Sequence, residues 1–171
     1  MNEKAKAVRM MIFDVDGVMT DGSLHYSDSG EEIKVFNSRD GHGLKALKAS
    51  GVKLAIITGR TSRALERRAN QFAVDYLYQG VEDKLAVFNE ILQDAGLTPA
   101  DCGYMGDDVV DLPVMRRVAF AVAVSDAPEL VRLNAHYVTG LPGGRGAVRE
   151  VCDLVMQAQG TLEPMLAHYL R

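Results

Sequence analysis

Five strand-length runs recur along this 171-residue chain, at residues 8–15, 52–58, 75–79, 102–105 and 120–124. The first, Val-Arg-Met-Met-Ile-Phe-Asp-Val, is apolar at successive positions rather than at alternate ones, as in a strand covered on both faces. Helical patterns separate the later runs, at 43–50, 62–72, 84–95, 109–117 and 127–133, and a strongly amphipathic one follows at 146–159. In the third of these, Leu85, Phe88, Leu92 and Ala95 fall on one helical face and Gly96 stops it. Strands alternating with helices predict βα units and a largely parallel sheet. A short edge strand at 136–139 and a last helix at 162–170 complete the pattern. Residues 23–26 and 33–36, around the turn-forming Ser27-Asp28-Ser29-Gly30, interrupt it and predict a β-hairpin insertion after the first strand.

Composition narrows what such a sheet could serve. Hydrophobic residues make up 47% and charged residues 25% of the chain, which excludes disorder. The net charge is −4 with no Lys/Arg tract, so neither nucleic acid nor an anionic membrane is an expected partner. Two cysteines, Cys102 and Cys152, are too few for a disulfide framework or a four-thiolate zinc site, and both read as buried thiols. The polar segment 1–9 and the early Asp14 argue against a signal or membrane-spanning segment, so a cytoplasmic setting is expected. The length predicts one domain over 1–171, with the hairpin at about 21–37 and a tail at about 160–171.

In open α/β sheets ligands bind beyond the carboxyl ends of the strands. After the first strand stands Asp14-Val15-Asp16-Gly17; after the second, Thr58-Gly59-Arg60; before the third helix, Lys84; after the fourth strand, Gly106-Asp107-Asp108, with Asp111 beyond. Asp14 and Asp16, two apart on extended chain, start on the same side. Singly, each Asp reads as a turn or cap residue, Thr58 as a strand-end cap and Lys84 as a solvated helix residue. Together, carboxylates crowded at one sheet edge repel one another, and a divalent cation resolves that repulsion. A few carboxylates with waters and a phosphate is the pattern of Mg²⁺.

That order of residues resembles the haloacid-dehalogenase superfamily of phosphotransferases, through Asp14-x-Asp16-Gly17, Thr58, Lys84 and Gly106-Asp107-Asp108-x-x-Asp111. The resemblance implies a doubly wound, Rossmann-like α/β fold with helices on both faces of a mainly parallel sheet, and an aspartyl-phosphate mechanism. It implies Asp14 as nucleophile and Asp16 as acid and base, with Thr58 and Lys84 holding phosphoryl oxygens. Mg²⁺ would be held by Asp14, Asp107 and the backbone carbonyl of Asp16, while Asp108 and Asp111 act through water or by orienting Lys84. An acid at position 16 favours hydrolysis of a phosphate ester whose leaving group needs a proton.

Further stretches, among them Asp14 to Gly22, Phe36-Asn-Ser-Arg-Asp-Gly41, Ile57-Thr-Gly-Arg60 and Gly143 to Glu150, are similar to the 3-deoxy-D-manno-octulosonate 8-phosphate (KDO 8-phosphate) phosphatases. This implies a phosphorylated acidic sugar as substrate, a role in lipopolysaccharide precursor synthesis, and a homotetramer whose hairpins meet at its centre. The substrate's carboxylate needs a cation beyond those on its phosphate. Arg60, Arg63 and Arg145 are the candidates, each a solvated surface residue if taken singly. Met19 and Arg63 depart from the family's usual Leu and Lys.

Four other readings compete with this one. A phosphoryl-accepting receiver domain also uses Asp, Thr and Lys, but there the acidic pair follows the first strand and the acceptor Asp the third. Gly41-x-Gly43-x-x-Ala46 partly matches a dinucleotide fingerprint, yet Arg60 stands where that motif needs an acid, so the stretch reads as the start of a helix. The remaining rivals are a phosphatase for the nine-carbon KDN 9-phosphate and a phosphatase-like assembly module without activity.

Overall fold

The computed structural model describes residues 2–167 and 169–171. Its centre is strand β1 (Met10–Phe13), every residue of which is buried. Strands β2 (His25–Tyr26) and β3 (Glu32–Ile33) pair antiparallel as a separate hairpin. Then come α2 (Ser38–Ala49), β4 (Lys53–Ile57), α3 (Arg63–Gln71), β5 (Tyr76–Tyr78), α4 (Lys84–Ala95) and β6 (Cys102–Gly106). A short helix α5 (Leu112–Met115), β7 (Phe120–Ala123), α6 (Glu129–Leu133), β8 (Tyr137–Val138), α7 (Ala147–Gln159) and α8 (Leu162–Ala167) complete the order. An N-terminal helix, α1 (Asn2–Lys6), packs on α7 and buries Ala5. The polar sequence there showed no apolar stripe to predict it.

The sheet has six strands in the order β5-β4-β1-β6-β7-β8, and every pairing in it is parallel. The chain winds outward from β1 through β4 to β5, then returns to the other side of β1 and winds outward again through β6, β7 and β8. This is the doubly wound, Rossmann-like topology that the resemblance implies. Its direction reverses between β1 and β6, where two strand ends diverge and leave a crevice. Register places Phe13 beside Met105, so the chain after β1 and the chain after β6 leave the sheet side by side.

Three local departures from the sequence expectation have clear causes. Helix α2 begins at Ser38 rather than 43, because the Asn37 side chain accepts the amides of Arg39 and Asp40 as an N-cap. Gly41 and Gly43 therefore lie inside the helix, where the side chains of Arg68 and Phe72 and then Arg149 crowd against them. The helix expected over 109–117 is a 3-10 turn, Val109–Asp111, followed by α5, because Asp111 bends back to accept the amides of Asp107 and Asp108. The last helix ends at Ala167, and residue 168 of the expected 162–170 lies outside the described residues.

Two glycines bring the loops at the crevice together. Gly17 has φ +84, and a Cβ there would collide with the Asp107 carboxylate. A Cβ at Gly143 would strike the carbonyl of Gly17, so the Gly143–Gly146 loop lies flat against the turn that follows β1. That loop is pinned by Gly144 N donating to Val18 O at 2.9 Å and Gly143 N donating to Asp126 Oδ1 at 3.1 Å. No helix is long and apolar enough to cross a membrane, among the described residues.

Candidate active site

A cleft of about 380 Å³ opens over the β1/β6 crevice, lined by Asp14, Asp16, Thr58, Arg60, Lys84, Asp107 and Asp108 among others. They come from four segments at the carboxyl edge of the sheet, after β1, after β4, at the start of α4 and after β6. Asp14 directly follows β1 and is almost fully buried; its Oδ1 accepts the Val15 amide at 2.7 Å. Thr58 directly follows β4, is buried, and its Oγ1 accepts the Arg60 amide at 3.4 Å. Lys84 is the first residue of α4, where a cation opposes the helix dipole.

Two carboxylates hold Lys84 there. Its Nζ stands 2.7 Å from Asp14 Oδ2 and 2.7 Å from Asp111 Oδ1. Burial pulls the ammonium pKa down, but the charges of Asp14 and Asp111 outweigh it and the net shift is upward. Asp111 is wholly buried and its oxygens are fully engaged. Oδ1 accepts Lys84 and the Tyr104 hydroxyl, the latter at 2.6 Å, while Oδ2 accepts the amides of Asp107 at 3.0 Å and Asp108 at 3.2 Å. It braces the lysine and the turn at once.

The cluster lacks positive charge. Burial first, then Asp111, lift the Asp14 carboxyl to about 6 despite Lys84. Burial, then Asp14 and Asp111, lift Asp107 to about 8. Oxygens of Asp14, Asp107 and Asp111 lie within 4.8 Å of one another. Asp111 has no lone pair to spare, and among the described residues the Asp107 carboxylate accepts no hydrogen bond. Asp14 and Asp107 are thus the pair a hard divalent cation fits, and oxygen donors suit Mg²⁺. Asp108, one residue on, is exposed and caps the 3-10 turn through Val109 N at 2.7 Å.

Asp16 lines the cleft beside the hairpin. Its Oδ1 pairs with Lys34, and its Oδ2 lies 4.0 Å from Arg60 Nε. Arg60 also binds Glu32 and donates to the Tyr26 hydroxyl at 2.7 Å, so the hairpin is bolted to the turn after β4. The other two candidate arginines lie outside this cleft. Arg63 is exposed at the start of α3, and Arg145 is 68% exposed and pairs with Asp21 at 3.1 Å. Sequence reasoning missed Lys34, Glu32 and Tyr104. Nothing in spacing links Lys34 to Asp16, but a phenol inside the run Cys-Gly-Tyr-Met-Gly signals a buried partner for its hydroxyl.

The arrangement presents a carboxylate paired with Lys84, a second carboxylate two residues away, and oxygen donors that suit a divalent ion. It suits attack on an anionic phosphorus centre. The sequence pattern of the haloacid dehalogenase-like hydrolases matches residues 28–119. The chain is 50% identical over 161 residues to the 3-deoxy-D-manno-octulosonate 8-phosphate phosphatase of Yersinia pestis, covering 94% of this chain and 86% of that one. With the enzyme of the same name from Escherichia coli K12 it shares 46% over 160 residues, 94% of this chain and 85% of that one. It superposes with a TM-score of 0.96 on the Moraxella catarrhalis enzyme of that name, solved with magnesium, phosphate and KDO. That pair is 40% identical, over 98% of this chain and 97% of the other.

Proposed function

This chain belongs to the haloacid dehalogenase-like hydrolases and is a phosphomonoesterase, and from that premise we propose that it hydrolyses KDO 8-phosphate to KDO and inorganic phosphate. One observation carries the chemistry: Lys84 stands between Asp14 and Asp111, 2.7 Å from each, at the crevice where the sheet reverses direction. The substrate is supported by the names of relatives at 46–50% identity over nearly the whole chain.

A carboxylate of Asp14 attacks phosphorus, the bond from phosphorus to the sugar oxygen breaks, and Asp16 gives that oxygen its proton. Asp16 then takes a proton from water, whose oxygen attacks the same phosphorus and releases phosphate and Asp14. Thr58 and Lys84 hold phosphoryl oxygens while charge builds on them. Asp14 and Asp107, with the backbone carbonyl of Asp16, would hold Mg²⁺, which supplies positive charge against the phosphoryl group and the crowded carboxylates. Asp108 and Asp111 act at one remove, Asp111 by fixing Lys84.

Arg60, the one candidate arginine that lines the cleft, is the residue we assign to the sugar carboxylate. Arg63 and Arg145 lie outside it and would serve a neighbouring subunit's site. The hairpin exposes Leu24, Tyr26, Ile33 and Val35, each at least half exposed, which supports a homotetramer packed through it. The enzyme would work in the cytoplasm, as a single domain.

The test is Mg²⁺-dependent phosphate release from KDO 8-phosphate, KDN 9-phosphate and common hexose phosphates, with Asp14→Asn as the blank. Release from the first alone is expected. Release from the second alone would keep the chemistry and move the substrate to nine carbons; silence on all would favour an assembly role.

A further inference from the structure

Asp16 is held by a side chain outside the cleft. Lys34 follows β3 on the return of the hairpin, and its side chain is 3% exposed. Its Nζ pairs with Asp16 Oδ1 and, at 2.7 Å, with Glu32 Oε1. Glu32 in turn accepts Arg60 Nε at 3.2 Å, and Arg60 reaches the Tyr26 hydroxyl. Hairpin and β4 turn thus form one cross-brace, and Asp16 hangs from it by a single oxygen. The other oxygen, Oδ2, is buried without a hydrogen-bond partner, with Arg60 Nε 4.0 Å away.

Pinning a hairpin does not require a buried ammonium, whose desolvation costs several kcal/mol before its partners offset it. What burial adds is fixed geometry. A general acid must sit within hydrogen-bond reach of the oxygen it protonates. The Asp16 side chain has more than one staggered rotamer open to it, and anchoring one oxygen selects among them. An unpartnered buried oxygen is also a costly state that a donor would relieve. The geometry points to Lys34 as a positioning residue for the phosphatase reaction: by anchoring Oδ1 it sets where Oδ2 meets the leaving oxygen. This rests on the acid–base role proposed above for Asp16.

The leaving group separates positioning from mere support. A sugar alkoxide needs the proton that Asp16 delivers; p-nitrophenolate does not. The experiment measures kcat/KM, which reports the steps up to departure of the leaving group and leaves out the later hydrolysis that also uses Asp16. Wild type, Lys34→Met and Lys34→Arg are each assayed on KDO 8-phosphate and on p-nitrophenyl phosphate, both from one preparation, so that any misfolded fraction cancels in the ratio. Lys34→Met is expected to lower the sugar-phosphate rate about 10- to 100-fold and the aryl-phosphate rate less than about threefold, since a placed acid is worth roughly 10²–10⁴. Lys34→Arg, which keeps the charge, recovers most of the loss. Equal losses on both substrates, or no loss on the sugar phosphate, would overturn the inference. A wild type inactive on both would overturn the phosphatase reading and the inference with it.

Discussion

Replacing Tyr104 by Phe removes one oxygen and nothing else from the centre of the protein. Tyr104 is fully buried in β6 and its hydroxyl donates to Asp111 Oδ1 at 2.6 Å. Burial, then Asp111, hold the phenol pKa well above its usual value, so the hydroxyl remains a donor wherever the protein is folded. The lost bond ends on an ionised acceptor with no water to replace it, a loss of about 1.5–3 kcal/mol. The charge of the cluster is unchanged and Phe fills the same space, so no cavity or repulsion term intervenes. For a chain of this size about 2–4 °C of melting temperature follows each kcal/mol, giving a fall of roughly 3–12 °C. The assay is thermal unfolding at fixed protein and Mg²⁺ concentration, because any self-association or metal binding of the folded state would shift the midpoint. A double-mutant cycle with Asp111→Asn adds the decisive arm: Tyr104→Phe should cost at least about 1 kcal/mol less once Asp111 has lost its charge. A fall under about 1 °C, or the same cost in both backgrounds, would refute the account of Asp111 as the shared brace.

Further outcomes follow from the same geometry. Because burial and like charges lift Asp107 to about 8, its ionised form opposes folding when no metal is bound. A carboxyl raised in this way gives up stability as pH climbs from its usual value toward the raised one. Metal-free Asp107→Asn should therefore be more stable than wild type near pH 8, by a margin that vanishes near pH 4, and Mg²⁺ should raise its melting temperature less than it raises the wild type's. Gly143→Ala should lose about 1–3 kcal/mol in urea unfolding, since the new methyl meets the carbonyls of Gly17 and Thr20. Asp108→Asn, altering an exposed cap that bonds only its own turn, should change stability by no more than about 1 kcal/mol.

The parallel sheet and the gathering of Asp14, Thr58, Lys84 and Asp107 were legible because both depend on local pattern. Each of those residues follows or precedes an apolar run, and the direction reversal beside β1 converts positions along the chain into neighbours at one edge. The brace of Lys34, Glu32 and Arg60 was not legible. It joins a two-residue-per-strand hairpin to a turn 28 positions from Glu32, and such contacts are set by how the hairpin leans, not by periodicity. The setting of Arg145 was equally beyond spacing: its flanking glycines let the loop lie flat on the Gly17 turn, and within this chain its side chain meets Asp21. The start of α2 shifted because an Asn cap outweighed two interior glycines, which sequence propensity alone prices at about 1 kcal/mol each.

In the proposed mechanism Asp14 itself carries the phosphoryl group, and that can be read on the residue. Asp16→Asn, given p-nitrophenyl phosphate and Mg²⁺, should form the acyl phosphate, because the leaving group needs no proton, and then stall for want of a base to activate water. Acid quenching, borohydride reduction and peptide mass spectrometry should find homoserine at position 14. Continued release of p-nitrophenol with Asp14 unmodified, or homoserine at any other aspartate, would contradict the account.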